Sequence, residues 1–465
     1  MKSLFVCLMF LSLWSLTCLA ENQSLNKELE DVLWELETNQ KTYIDLLEKG
    51  QNSDAVQKTL AKLNLRKIQI EKSLRTEAKV TSESKIKTEG QFKYRGHFQY
   101  RLEGARNTKG VSGSHQQEQS FYRLRTYLSY QSSPQMNFNL TPQATKGFGA
   151  NDSSNNPTSG STVQTQVNFF EANLEYAMTN AWSMKLGKQE FSYGDQLVIG
   201  PAPWDNSGRS FDALKFNLKT TNGKTDFVFS KIDDNSSPQD SQDDTNFSFI
   251  YSSWSFGEKL RELDFYLMNQ QDKKPNGVEV NLLGIRGKGE LGRAFYRHES
   301  GVEKGEKLEK DAFQTNTEVG LNLGVHKVSF EYGLAGYGYR QLYPTAHRFL
   351  GFADLLGRRN IEQYAIHFTG VVNSWLSVSV DQHFFRRHNS RQSAYKLNGK
   401  DAIGSEGNAK DIGRETDIIL NLRTIDRLHL QLGAALFTSD KYLEQQSINR
   451  GKATRFLYAQ LICEF

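Results

Sequence analysis

Two periodicities divide the chain. Leu25, Leu29, Val32, Leu36 and Tyr43 recur at helical spacing, and Leu60, Leu63, Ile70 and Leu74 do so again. Apolar residues three to four apart predict amphipathic helices. Between them, residues 50–54 read Gly-Gln-Asn-Ser-Asp, a turn in which Ser53 or Asp54 can cap the second helix. The pair predicts a helical hairpin or a coiled-coil stalk, and the polar stretch 81–87 reads as a linker. From about residue 90 the period falls from 3.6 to 2. Phe92, Tyr94, Phe98, Tyr100 and Leu102 alternate with Lys93, Arg95, His97, Gln99, Arg101 and Glu103. Tyr122, Leu124 and Leu128 alternate with Arg123, Arg125 and Ser129, and Leu428, Leu430 and Leu432 with His429 and Gln431. The last stretch places Leu457, Ala459, Leu461, Cys463 and Phe465 on one face and Tyr458, Gln460 and Glu464 on the other.

Each alternating segment is about ten residues long, the length a tilted strand needs to cross a bilayer. About eighteen such segments fit between residues 90 and 465, an even number as expected of a single-chain barrel. Segments 144–162, 231–244, 343–359 and 387–410 are long and rich in Gly, Ser, Asn and Asp, whereas 220–223 is a tight turn. Long loops at one end and short turns at the other suit a membrane barrel. No repeat of about 20–50 residues is visible, which argues against a solenoid. The expected fold is therefore all-β: a transmembrane antiparallel barrel over residues 88–465, preceded by an α-helical segment over 21–87.

The first twenty residues supply the route. Lys2 precedes an apolar run from Leu4 to Leu19, and Cys18-Leu19-Ala20 ends in small residues. This is the pattern of a secretory signal peptide cleaved after Ala20. The run is about sixteen residues, short for a span that needs roughly twenty. Mean hydropathy is −0.60 and 37% of residues are hydrophobic. No later segment is apolar enough for a membrane helix, but a barrel needs only alternate lipid-facing residues. Removal of the first twenty residues leaves Cys463 as the sole cysteine. Neither an internal disulfide nor a cysteine metal site is then expected, and no cofactor is. A net charge of +4 is too small to suggest nucleic acid. The expected location is the bacterial outer membrane, with outer-membrane lipid as one partner. A periplasmic partner or peptidoglycan is expected to meet residues 21–87.

If the apolar face meets lipid, the polar face lines the lumen. Lys93, Arg95, Arg101, Arg123, Arg125, Lys185, Lys215, Lys219 and Arg423 then point inward, against fewer acids: Glu103, Asp264, Glu331 and Asp417. Fixed cations lower the barrier to anions, and a guanidinium grips carboxylate or phosphate bidentately. The bland alternative is that these residues balance acidic neighbours and keep the lumen wet.

One stretch is more specific. Leu186-Gly-Lys-Gln-Glu-Phe-Ser-Tyr-Gly-Asp195, then Ile199-Gly200, Trp204-Asp-Asn and Gly208-Arg-Ser-Phe-Asp212, resembles the signature of the alginate export family of outer-membrane porins. His347-Arg-Phe-Leu-Gly-Phe-Ala-Asp354 and Ile412-Gly-Arg-Glu-Thr-Asp417 resemble it further. The resemblance covers roughly residues 90–465. It implies a monomeric eighteen-stranded barrel with an arginine-rich constriction conducting an anionic polysaccharide. Lys188, Asp195 and Arg209 are the motif residues expected at that constriction. Arg209 and Asp212 are expected to pair and orient a loop folded into the pore, or simply to anchor it. Gly194 and Gly208 permit tight turns. Residues 21–87 depart from the alginate exporter and leave both the cargo and a trimeric alternative open. A phosphate- or small-anion-selective porin is the main rival. An enzyme is not expected, because Gly-x-Ser-x-Gly and His-Glu-x-x-His are both absent. A structural barrel with a plugged lumen is the remaining alternative.

Overall fold

The computed structural model describes residues 31–41, 54–83, 90–108, 116–149, 165–233, 244–273, 277–306, 308, 310, 312–405, 407–425, 427–448 and 452–465. The signal-peptide reading of residues 1–20 lies outside them. The chain divides into two units, residues 1–89 and 90–465.

In the first unit, α1 (residues 31–41) and α2 (Asp54–Glu83) are helical. Val32 and Leu36 of α1 pack with Leu60 and Leu63 of α2 in one small apolar cluster. These are the residues whose spacing predicted the helices. α2 continues to Glu83, into the stretch read as linker.

The second unit is one sheet of eighteen strands. β1 (Gln91–Arg106), β2 (Gln116–Ser133), β3 (Met136–Gly149), β4 (Gln166–Ala177), β5 (Trp182–Gln189) and β6 (Phe211–Lys219) lead. β7 (Gly223–Asp233), β8 (Thr245–Trp254), β9 (Glu262–Asp272), β10 (Glu279–Leu291), β11 (Ala294–Lys304) and β12 (Phe313–Leu323) follow. β13 (His326–Ala335), β14 (Ile361–Asn373) and β15 (Leu376–Arg386) precede a loop hairpin of β16 (Ala394–Tyr395) and β17 (Ala402–Ile403). β18 (Asp411–Ile425), β19 (Leu428–Ser439), a short helix α3 (Lys441–Gln445) and β20 (Thr454–Glu464) finish the chain. Each barrel strand pairs antiparallel with the next, and β20 pairs antiparallel with β1. The sheet therefore closes and has no free edge, the condition for strands to cross a bilayer.

Register fixes the two faces, because side chains alternate along a strand. Phe92, Tyr94, Leu102, Phe229, Leu267 and Leu283 are exposed on the outer face, while Gln99, Arg101, Arg123 and Arg125 are buried on the inner one. Short turns such as 134–135, 220–222 and 324–325 lie at the end where the barrel begins and ends. Short turns mark the periplasmic side of such barrels. The other end carries the long connections 190–210, 336–360, 387–410 and 440–453. Residues 144–149, read as loop, extend β3 instead.

One property of the inner face departs from the simple apolar-out rule. Toward the long-loop end, Phe211, Ala213, Val228, Phe247, Phe249 and Tyr251 point inward and are buried. They pack against Phe191, Tyr193, Val198 and Ile199 of the 190–210 loop. A second cluster joins Leu197, Tyr339, Phe349, Leu355, Phe385 and Tyr442. Folded-in loops thus bury an apolar core inside the barrel, because an inward apolar face left in water would forgo roughly 25 cal/mol per Å².

Candidate functional site

The site is the lumen, narrowed by two inward loops. Segment 190–210, between β5 and β6, is held from both sides of the barrel. On one side Asp195 meets Arg286 of β10, Nε to Oδ2 2.8 Å, and the same guanidinium reaches Glu262 at 2.8 Å and Asp264 at 2.7 Å. Burial opposes ionisation of Asp195, but the hydrogen bond and charge of Arg286 outweigh it and hold the carboxyl below its ordinary value. On the other side the arginines of β1 and β2 grip loop carbonyls. Arg101 Nη1 donates to Trp204 O at 2.8 Å and lies 3.9 Å over the indole. Arg123 Nη1 donates to Pro203 O and Asp205 O, both at 3.2 Å. Arg125 Nη2 donates to Ser207 O at 2.9 Å and stacks 3.4 Å over Phe170. Gly208 has a φ of +66°, and a Cβ there would sit 2.5 Å from Arg125 Nη2. Glycine is therefore required on two counts. At Gly194, with φ +55°, a Cβ would sit 2.8 Å from Arg286 Cδ.

The second inward loop is 336–360. Gly200 N–H donates to Tyr343 O at 2.8 Å and Tyr343 N–H to Val198 O at 3.0 Å, so the two loops pair as parallel strands. Arg209 clips this junction: its Nη1 donates to Gly200 O at 3.1 Å, Tyr343 O at 2.5 Å and Pro344 O at 3.1 Å. His347 stacks on Trp204 at 3.9 Å and pairs with Asp354 at 2.8 Å. Arg101, Trp204 and His347 thus form a continuous stack linking wall and both loops. From the far wall Glu415 accepts Ala353 N–H at 2.8 Å, and Glu303 accepts Arg340 N–H at 2.7 Å.

These contacts place each residue expected in the path. Lys93, Arg95, Arg101, Arg123, Arg125, Lys185, Lys215 and Arg423 stand at inward positions. Arg101, Arg123 and Arg125 are engaged with loop carbonyls and are buried, while Arg95 stacks 4.2 Å over Tyr127. Asp195 and Arg209 lie on the inward loop as motif residues. Lys188 and Asp212 do not face the lumen. Asp212 is exposed between buried Phe211 and Ala213, and its register partner Lys188 bonds it at 3.3 Å on the outer face. Arg209 accordingly does not pair with Asp212; backbone carbonyls take its hydrogen bonds. Strand alternation decides this, since Asp212 opens β6 one residue after the inward Phe211.

The inner acids are also more numerous than expected. Glu299, Glu303, Glu318, Asp381 and Glu415 join Asp264, Glu331 and Asp417 along β9–β18. Arg297 answers part of this charge, bonding Glu318 at 2.5 Å and Glu331 as well. The lumen is therefore basic along β1–β6 and mixed to acidic along the rest.

Among the described residues the lumen keeps open space at several places. One cavity of about 510 Å³, at the short-turn mouth, is lined by Lys93, Lys185 and Lys215 with a single carboxylate, Glu175. A second of about 570 Å³ lies among Trp204, Asp205, Arg209, His347, Asp354 and Lys400. A third of about 540 Å³ holds Asp195, Arg297, Glu318, Glu331, Arg348 and Asp381. Arg348 is exposed there, and among the described residues its side chain donates only to Asp195 O, at 3.3 Å. It sits inside the second motif, yet period and charge gave no reason to choose it over its neighbours.

A family model described as alginate export matches residues 85–454. The chain belongs to the alginate export family. No curated protein matches the sequence. Among solved structures, OccK8 (OprE) of Pseudomonas aeruginosa is similar at TM-score 0.58 and 9% identity, covering 81% of this chain and 98% of that one. OccAB1 of Acinetobacter baumannii is similar at TM-score 0.57 and 11% identity, covering 80% and 96%. The outer membrane protein opdK of Pseudomonas aeruginosa is similar at TM-score 0.55 and 11% identity, covering 81% and 98%. At these identities the likeness concerns the fold. This alginate export family member is an outer-membrane β-barrel of the porin type, a passive channel and not an enzyme.

Proposed function

We propose that this alginate export family protein passes anionic solutes by passive diffusion, with short carboxylated oligosaccharides as the cargo class. The observation that carries the reading is the short-turn mouth, where Lys93, Lys185 and Lys215 line one cavity against one carboxylate, Glu175. Glu175 neutralises Lys185 at 3.0 Å and Asp226 lies 3.9 Å from Lys215, which leaves Lys93 as the cation of this mouth with no carboxylate partner among the described residues. Exposed Arg348 supplies a second contact further in. Fixed cations around a narrow aqueous path favour anions in this way. Selectivity is moderate on this reading, because the third cavity holds as many acids as bases.

A small-anion porin is the second reading. It is favoured by the extent to which the 190–210 and 336–360 loops fill the long-loop half. Planar-bilayer recording of the refolded protein separates the two. Block by uronate oligomers at concentrations where phosphate has no effect supports the oligosaccharide. Block by phosphate at much lower concentration supports the small anion, and cation preference defeats both. Residues 21–87 are proposed to contact the periplasmic cell wall or a partner. Deleting residues 21–80 is expected to leave conductance intact while loosening cell-wall association.

A further inference from the structure

The outer face of the barrel seam carries an uncompensated cationic row. Arg455 is exposed, alternating with buried Thr454 and Phe456, and its register partner across the closure of β1 and β20 is Arg106, also exposed. Arg414 of β18 is exposed nearby, opposite Thr438 of β19. All three lie at the long-loop end of their strands. Three other outward cations at this rim are answered, Lys188 by Asp212 at 3.3 Å, Lys231 by Asp244 at 3.2 Å and Arg386 by Asp411 at 3.0 Å, whereas among the described residues Lys304 at the end of β11 stands alone as a single exposed cation. Among the described residues, Arg106, Arg414 and Arg455 have no ion-pair partner. Like charges directly opposite on a sheet repel, so an anion between Arg106 and Arg455 would relieve that repulsion.

Immediately below is an apolar groove of about 490 Å³. Leu457 pairs with Gly104 on one side and Ala434 on the other, one outward step from the arginine row. That step is about 7 Å along a strand. Ile418 and Leu102 form walls. The position of a Cβ on Gly104 meets no atom within 4 Å, so the floor is open.

We propose that this seam binds a phosphorylated, acylated glycolipid of the outer leaflet, its phosphates on Arg106, Arg414 and Arg455 and one acyl chain in the groove. The charge lies at the end of the strands facing outward from the cell, and the groove extends from it toward the membrane centre. A headgroup and a chain on one molecule need that order. Guanidinium groups grip phosphate bidentately, and a groove that continues from them holds a chain of the same molecule in place of a bulk lipid chain. The lumen is not involved, which separates this site from the conduction path.

The test uses the full-length protein in phosphatidylcholine nanodiscs doped with diphosphoryl lipid A, with retained lipid counted by native mass spectrometry. The triple variant R106Q/R414Q/R455Q is expected to lower retention roughly a hundredfold, at about one factor of five per arginine near an anionic surface. Its conductance should stay that of the parent, which shows that the barrel is intact. Ala434→Trp, which fills the groove and keeps the arginines, should also reduce retention. Equal retention by the triple variant overturns the proposal. So does undiminished retention by Ala434→Trp, or displacement of the lipid by inorganic phosphate alone, since either makes the acyl chain irrelevant.

Discussion

Replacing Arg123 and Arg125 together by alanine tests what the inward arginines are for. Charge count alone predicts a loss of anion preference. The geometry predicts a loosened loop. Arg123 holds Pro203 O and Asp205 O, and Arg125 holds Ser207 O, so three carbonyls of segment 190–210 lose charged donors. Hydrogen bonds to charged groups contribute about 1.5–3 kcal/mol each. Lumen water re-solvates the freed carbonyls, and neighbouring effects do not add, so about 3 kcal/mol is a reasonable total. At 1.4 kcal/mol per factor of ten, that raises the open-loop population roughly a hundredfold. Hydrogen exchange reads it directly. The amides of Asp205, Gly208 and Arg209 donate within the loop, to Ala202 O at 3.1 Å, Asp205 O at 3.0 Å and Pro201 O at 2.7 Å. They should exchange faster in the variant, and single-channel current should become larger and noisier. Unchanged exchange at these amides, with a reversal potential shifted toward cations, would refute the clamp and restore the arginines to the conduction path.

Other expectations follow from the same geometry. Lys188→Gln and Asp212→Asn, being on the outer face, should leave reversal potentials within error of the parent; a shift in either would contradict the register. Replacing Lys93, Lys185 and Lys215 together by glutamine should remove most of the anion preference measured in a salt gradient, because it leaves Glu175 and Asp226 unanswered at that mouth. Arg209→Ala should separate the 196–200 and 343–345 segments, seen as faster exchange of the Gly200, Tyr343 and Thr345 amides, with about 2 kcal/mol lost for a guanidinium serving three carbonyls. Acid should release the 190–210 loop only late: with Asp195 held below its ordinary value by Arg286, its contribution is complete above about pH 4 and is lost as pH falls through the lower folded value. In Asp195→Asn the acid-induced increase in current noise should disappear, and its persistence would show that another group controls the loop.

Much of the architecture was legible in advance because alternation is a local signal. Phe92, Tyr94 and Leu102 had to share a face, and their spacing from Arg101 had to place that guanidinium on the other, whatever the tertiary fold. Strand number followed from segment length and from the even count that a single-chain barrel requires. The two helices were visible in Val32, Leu36, Leu60 and Leu63 for the same reason. The motif from Leu186 to Asp212 marked the loop that narrows the lumen.

The roles within that loop were not legible. Whether a guanidinium meets solute or a carbonyl depends on where a segment about a hundred residues away in sequence is folded; Arg123 to Asp205 spans 82 residues. Arg286 and Asp195, or Arg209 and Pro344, are likewise joined only by the closed barrel. Inward Phe247 and Phe249 looked like any strand residues until the loop covered them. Local alternation determined which residues face lipid and which face inward, because that is backbone geometry. Only the tertiary structure decided which inward charges are already occupied, because a charge's availability is set by its neighbours in space, and closing the barrel chooses those neighbours.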